Sequence, residues 1–245
     1  MRLFLITLLF IGGSASAPRR MAGDAEFARL EYDRAAEAYL SAGATTADSA
    51  EYLWRLARLY VCAGDIAGPE KKEETYRKAV AFAERCIQAD STLAAGHTWK
   101  AAALGNIAMF EGSKGRVRLC NEIKHELDRA LALDPLDDVA YSITGSFYRA
   151  LGNVSWIERR LASVFLGSLP EGGYEEAEAA LRRAIAIAPR IVRHRFELGL
   201  LLKDVGKKKE AIEAFRAASE LPVTVASDPR TKDAAMRLAQ TLQEE

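Results

Sequence analysis

The chain has 245 residues, in which 34 Lys and Arg balance 34 Asp and Glu and 49% of residues are hydrophobic. That balance excludes a disordered chain, a collagen-like chain and a multi-pass membrane protein, and the lack of net positive charge argues against nucleic acid as a partner. Three cysteines are too few for a disulfide scaffold, and an odd number cannot pair fully within the chain.

The first seventeen residues, MRLFLITLLFIGGSASA, follow the grammar of a secretory signal peptide. Arg2 supplies the positive end, Leu3 to Ile11 the apolar run, and Gly12 to Ala17 the small residues before a cut. As a helix, Leu3 to Ala17 would reach about 22 Å, short of the roughly 30 Å hydrocarbon core. A leader over residues 1–17 is therefore expected, with an uncleaved membrane anchor as the alternative. A leader implies export to a periplasm or out of the cell, where the thiols would meet oxidising conditions.

From residue 23 to 245 the apolar positions recur at helical spacing, and strand signals are almost absent. The segment 24–43 reads as a lone helix. Four later segments share one pattern: 78–91, 123–135, 174–189 and 208–222. Each carries a small or apolar residue, a large one four positions on, and a small one three further. In the third these are Ala177, Leu181 and Ala184, ending at Pro189; in the last they are Ala211, Phe215 and Ala218, ending at Pro222. Segments such as 141–153 and 195–207 precede them, with Gly145, Tyr148 and Gly152, and with Gly199, Leu202 and Gly206. Small residues at a crossing let two antiparallel helices approach while large ones fill the gap. A glycine then ends the first helix in a left-handed cap, and a proline stops the second.

This pattern resembles the tetratricopeptide repeat. The resemblance implies an all-α, right-handed α-solenoid of helix pairs. The repeats are expected at about 48–91, 92–135, 136–189 and 190–222, followed by a polar capping helix at 228–244. Three irregularities interrupt them: extra residues between the helices around 65–74, a long connection at 105–116, and an insertion at 154–173.

The insertion brings Trp156, Arg159, Arg160 and Ala162 together ahead of Pro170 and Tyr174, and His97, Trp99, Gly112 and Lys114 lie upstream. In these features residues 95–222 resemble the regulator of microtubule dynamics family. The resemblance implies a tetratricopeptide-like fold and an interaction role. Microtubules lie in the cytosol, so an exported chain would not meet them. Leader and resemblance together imply an exported bacterial relative whose partner is another protein or peptide.

No catalytic or metal constellation stands out, so no enzyme activity, metal or cofactor is expected. His97, His125 and His194 fall in three different repeats, and Glu122 with His125 forms only one copy of a ligand pair that di-iron sites need twice. Gly112 to Gly115 reads as a flexible loop rather than an anion cradle. Cys86 falls at a small core position.

In such a solenoid the first helix of each repeat lines the concave face. The inward positions give Glu51, Trp54 and Arg58, then Thr98 with Trp99 beside it, then Ser142, Ser146 and Arg149, then Arg193, Phe196 and Lys203. An aromatic groove with Arg58, Arg149, Arg193 and Lys203 suits an extended peptide with acidic groups, because arginine forks match carboxylates. The plainer reading makes Trp54 and Trp99 packing between repeats and the arginines ordinary surface. A second candidate site is the insertion, where Trp156, Arg159 and Arg160 border an apolar face. It reads as an extra packed helix or as a pocket for an acyl chain, with the arginines on an anionic head group.

Overall fold

The computed structural model describes residues 21–43, 49–165 and 167–244. The leader expected over residues 1–17 and the side chain of Trp156 lie outside the described residues. Within them the chain forms twelve α-helices and no strand. In chain order these are α1 (Asp24–Ala28), α2 (Tyr32–Gly43), α3 (Ser49–Ile66), α4 (Pro69–Ala89), α5 (Ala94–Ile107) and α6 (Ser113–Leu133). There follow α7 (Asp138–Gly152), α8 (Trp156–Phe165), α9 (Tyr174–Ile187), α10 (Val192–Asp204), α11 (Lys208–Glu220) and α12 (Asp228–Glu244). None of the described helices is long and apolar enough to cross a membrane.

Helices α3/α4, α5/α6, α7/α9 and α10/α11 pack as the four antiparallel pairs, and the first helices α3, α5, α7 and α10 also touch in series. The architecture is a right-handed α-solenoid of tetratricopeptide-like pairs. The crossing rule holds at atomic detail. A Cβ at Gly199 would stand 2.6 Å from the Phe215 ring, so α10 and α11 approach this closely only because that position is bare. Leu181 fills the equivalent space over Gly145. Ala177, Leu181, Leu201, Leu202, Ala211, Phe215 and Ala218 form one continuous core with the inner face of α12. That contact covers the last pair, as a capping helix must.

Several expectations change. Residues 24–43 form two helices, not one. Leu30 takes a left-handed φ of 64°, which folds α1 back so that Phe27 stacks on Tyr32 at 5.3 Å. The extra residues at 65–74 are not a loop. The helix α3 runs to Ile66, Pro69 opens α4, and the charged stretch becomes two added turns, paired at Glu73–Arg77 and Glu74–Lys78. Likewise the connection expected at 105–116 shrinks to residues 108–112. Of Gly152 and Gly206, expected as left-handed caps, only Gly206 is one, at φ 77°. Gly152 instead leaves room for the ring of Tyr174, which opens α9, and Gly64 in α3 does the same for the ring of Tyr76 within α4.

Candidate interaction surface on the first helices

Helix α3 carries the first part of the surface. The Arg55 side chain is buried and its Nε–H donates to Asp24 at 3.0 Å, while Nη1 donates to the Glu51 carbonyl at 2.9 Å. Trp54 Nε1–H donates to Glu51 at 2.9 Å, and the Arg55 guanidinium lies 4.3 Å from its ring centre. Arg58 stacks over Phe27 at 3.9 Å and over Trp54 at 5.2 Å, and reaches Asp24 at 3.8 Å. Asp24 thus gathers Tyr39, Arg55 and Arg58. Burial alone would raise its carboxyl pKa, but the Met21 amide, the Tyr39 hydroxyl and Arg55 outweigh that and hold it below its ordinary value.

Helices α7 and α10 carry the second part. Arg149 Nη1 donates to Asp204 at 2.8 Å, and Nη2 lies 3.7 Å from Glu197. His194 is buried with Nε2 2.8 Å from Asp138. Between these helices and α5, Thr98 donates to Asp137, whose other carboxylate oxygen accepts the Ala140 amide at 2.8 Å and caps α7. Burial pushes the Asp137 carboxyl up.

The two parts meet. Arg193 Nη1 on α10 lies 3.4 Å from the Asp65 carboxylate on α3, across 128 residues of sequence. Asp65 also accepts the Tyr76 hydroxyl at 2.9 Å, and its carbonyl accepts Arg230 at 2.8 Å.

Of the residues expected in the groove, Trp54, Arg58, Arg149 and Arg193 are drawn into this polar surface. Lys203 stands at its end, 4.0 Å from Asp204 and half-exposed. Trp99 and Phe196 are placed elsewhere. Trp99, partly buried, packs on Val61, Ala79 and Ala103 between repeats, and Phe196, also partly buried, lies 5.8 Å from the core residue Phe215. The carboxylates that face the arginines, Asp24, Asp65, Glu197 and Asp204, were not legible as site residues. Their sequence distances to the arginines, 31 for Arg55–Asp24, 55 for Arg149–Asp204 and 128 for Arg193–Asp65, leave no local signal.

In the insertion, Arg159 donates to three carbonyls: Leu151 at 2.7 Å, Pro170 at 3.1 Å and Gly172 at 3.1 Å. It therefore staples α8 and the following loop to the end of α7. Arg160 is exposed and borders a shallow open depression with Ser163, Ser168 and Leu169.

The three cysteines are free thiols. Cys62 and Cys86 are buried, and burial pushes both up to about 12. Among the described residues no group of three or more His, Cys, Asp or Glu could hold a metal ion.

Five side-chain polar atoms among the described residues are buried without a hydrogen-bond partner: Arg58 Nε, Ser142 Oγ, Arg149 Nε, His194 Nδ1 and Glu197 Oε2. All five belong to first helices, α3, α7 and α10. They include both donors and acceptors.

The family described as Regulator of microtubule dynamics protein 1-3 matches residues 22–243. Regulator of microtubule dynamics protein 1 of Bos taurus is 26% identical over 194 residues, which cover 78% of this chain and 61% of that protein. Regulator of microtubule dynamics protein 3 of Rattus norvegicus is 26% identical over 174 residues, covering 70% and 37%. The chain thus spans less than two thirds of the length of these relatives. Among solved structures, the thermophilic tetratricopeptide-repeat protein TTC0263 of Thermus thermophilus superposes with a TM-score of 0.64 at 18% identity, over 89% of this chain and 95% of that one, a likeness of fold. The family match takes in all four helix pairs, the insertion and the capping helix, and the chain belongs to the regulator of microtubule dynamics family.

Proposed function

We propose that the protein is a non-catalytic interaction module that holds an extended segment of a protein partner along its first helices. The observation that carries this reading is the set of five buried polar atoms without a hydrogen bond, all on those helices, of which Glu197 Oε2 has only the long contact to Arg149. A buried polar group without a partner costs about 1–3 kcal/mol, so folded proteins rarely keep several together unless something satisfies them. A peptide main chain offers alternating N–H and C=O groups, which suits a lining of mixed donors and acceptors. The arginines favour main-chain capture over capture of acidic side chains, because Arg58, Arg149 and Arg193 already face Asp24, Asp204 and Asp65.

The test is fluorescence polarisation with labelled hexapeptides of acidic, neutral and basic composition, each ending in a free carboxylate. Binding of one or more classes, weakened about tenfold in Arg149→Ala and Glu197→Gln, supports the reading. Failure of every class to bind, or binding unchanged in both variants, sinks it and leaves ordered water as the occupant.

A second reading follows from the relatives, whose names place them with microtubule dynamics. In it the partner is tubulin, and co-sedimentation with stabilised microtubules tests it. The leader decides between the two settings. An exported chain loses residues 1–17 or a similar length in its cell of origin, and an intact-mass measurement reads this directly. The third reading, lipid held at Trp156, Arg159 and Arg160, draws less support, since Arg159 is committed to three carbonyls.

A further inference from the structure

The two ends of the solenoid touch. The Ala226 amide donates to the Tyr32 hydroxyl at 3.0 Å, across 194 residues. Val225 and Ala226 pack on the aromatic cluster of Phe27, Tyr32, Tyr39 and Tyr52. Four residues on, Arg230 donates to the Asp65 carbonyl at the end of α3. The contacts come from the short connection between α11 and α12 and from the first turn of α12, and this segment is stiffened from within. Asp228 is buried, and its carboxylate accepts the amides of Thr224 at 2.6 Å and Val225 at 3.0 Å and the Thr224 hydroxyl at 3.0 Å. Lys232 donates to the Leu221 carbonyl.

This contact differs from the packing between neighbouring repeats. Each helix pair shares a continuous core, whereas the ends are joined by two hydrogen bonds, the Arg193–Asp65 ion pair and two small side chains. A small contact between ends far apart in sequence is the kind that opens without unfolding the rest. It also joins the end of α3 to the start of α10 through the Arg193–Asp65 pair.

We propose that residues 221–230 are a reversible clasp that shuts the ends of the solenoid together, and that its release uncovers the first-helix surface. The clasp itself stands on the contacts above; the identity of what then enters rests on the function proposed here. Rigid docking to the closed form would find the surface covered, so the observed affinity is the intrinsic one reduced by the open fraction.

Cys62 reports the state of the clasp without any ligand. Its buried thiol belongs to the cluster that Val225 and Ala226 cover, whereas Cys86 is buried between α4 and the start of α3, with its thiol 3.4 Å from the Ala50 carbonyl. The experiment is alkylation of the full chain by N-ethylmaleimide at neutral pH, mapped residue by residue by mass spectrometry. The variant is Val225→Ser with Arg230→Ala, which removes the apolar contact and the bond to Asp65 and leaves the Asp228 turn in place. We expect Cys62 to react about tenfold faster in the variant while Cys86 is unchanged. Unchanged Cys62 overturns the clasp. Acceleration of both thiols together shows general loosening and overturns it too. The labelled hexapeptides are then titrated into both forms. Tighter binding to the variant, by several-fold, supports the gating. Equal binding to both overturns the gating while the thiol result stands. Binding to neither removes the proposed function and the gating with it, and the thiol result alone then decides the clasp.

Discussion

Arg55 and Asp24 lie 31 residues apart in sequence, yet the arginine Nε–H donates to the carboxylate at 3.0 Å and ties the short helix α1 onto the first repeat. The Arg55 side chain is only 7% exposed and that of Asp24 22%, so both charges are largely removed from water. The hydroxyl of the fully buried Tyr39 completes the site. Removing one partner of such a pair leaves the other buried and uncompensated, whereas the pair as a unit contributes little net stability. Asp24→Ala is therefore expected to cost about 2–4 kcal/mol, read as a lower urea midpoint with unchanged slope. A loss below about 1 kcal/mol would show that α1 is dispensable to the fold.

The same carboxylate sets a pH dependence. Asp24 is held below its ordinary 3.8 in the folded chain, so the folded state binds its proton less readily than the unfolded state. The stability this contributes is fully present above the ordinary value and is lost as pH falls through the folded one. Asp137 works in the opposite sense. Its folded pKa is raised by burial, so its contribution falls as pH rises from the ordinary value through the raised one. Asp24→Asn should flatten the acid limb of a stability–pH profile. Asp137→Asn keeps the capping oxygen of α7 and should remove the loss on the higher side of that window. Two variants with indistinguishable profiles would contradict both assignments.

Two glycine substitutions should have opposite signs. Gly199→Ala puts a methyl 2.6 Å from the Phe215 ring in a filled core and is expected to destabilise by about 1–3 kcal/mol. Gly105→Ala lies in helix α5 with nothing within 4 Å of the new methyl and is expected to stabilise by about 0.4–1 kcal/mol. Differential scanning calorimetry decides it, and a rise in Tm for Gly199→Ala would refute the close-approach argument.

Arg159 should prove a staple of the insertion. Arg159→Met keeps the apolar stem and loses bonds to three carbonyls. Arg159→Lys should not restore it, since an ammonium cannot reproduce the planar fork. Hydrogen exchange over residues 154–173 is expected to rise by an order of magnitude or more in both, with α10 and α11 unaffected. Equal protection in wild type and Arg159→Met would mean that the carbonyls are satisfied in another way.

The periodic parts of the fold were open to reading because they are local. Ala177, Leu181 and Ala184 recur as Ala211, Phe215 and Ala218 with the same spacing, and helix packing needs nothing else to place α9 and α11. Helix lengths were harder. The run of Glu and Lys after Pro69 looked like a loop, but its side chains pair one turn apart on an exposed helix face, so α4 simply starts earlier. Trp99 and Phe196 are partly buried against core clusters, and which side chains of a helix are covered depends on the neighbours it packs against. For Arg58, Arg149 and Arg193 the sequence picked out the cations and not the carboxylates opposite them.

The sequence by itself determined the repeat, the order of the helix pairs, the inserted helix and the capping helix, because each rests on spacings of three and four residues. Only the tertiary structure decided that Asp65 meets Arg193 and Arg230, that Tyr32 receives the Ala226 amide, and that the ends of the solenoid close on each other. Those contacts follow from the small rotation between successive pairs, summed over four of them. No short stretch of residues encodes that sum.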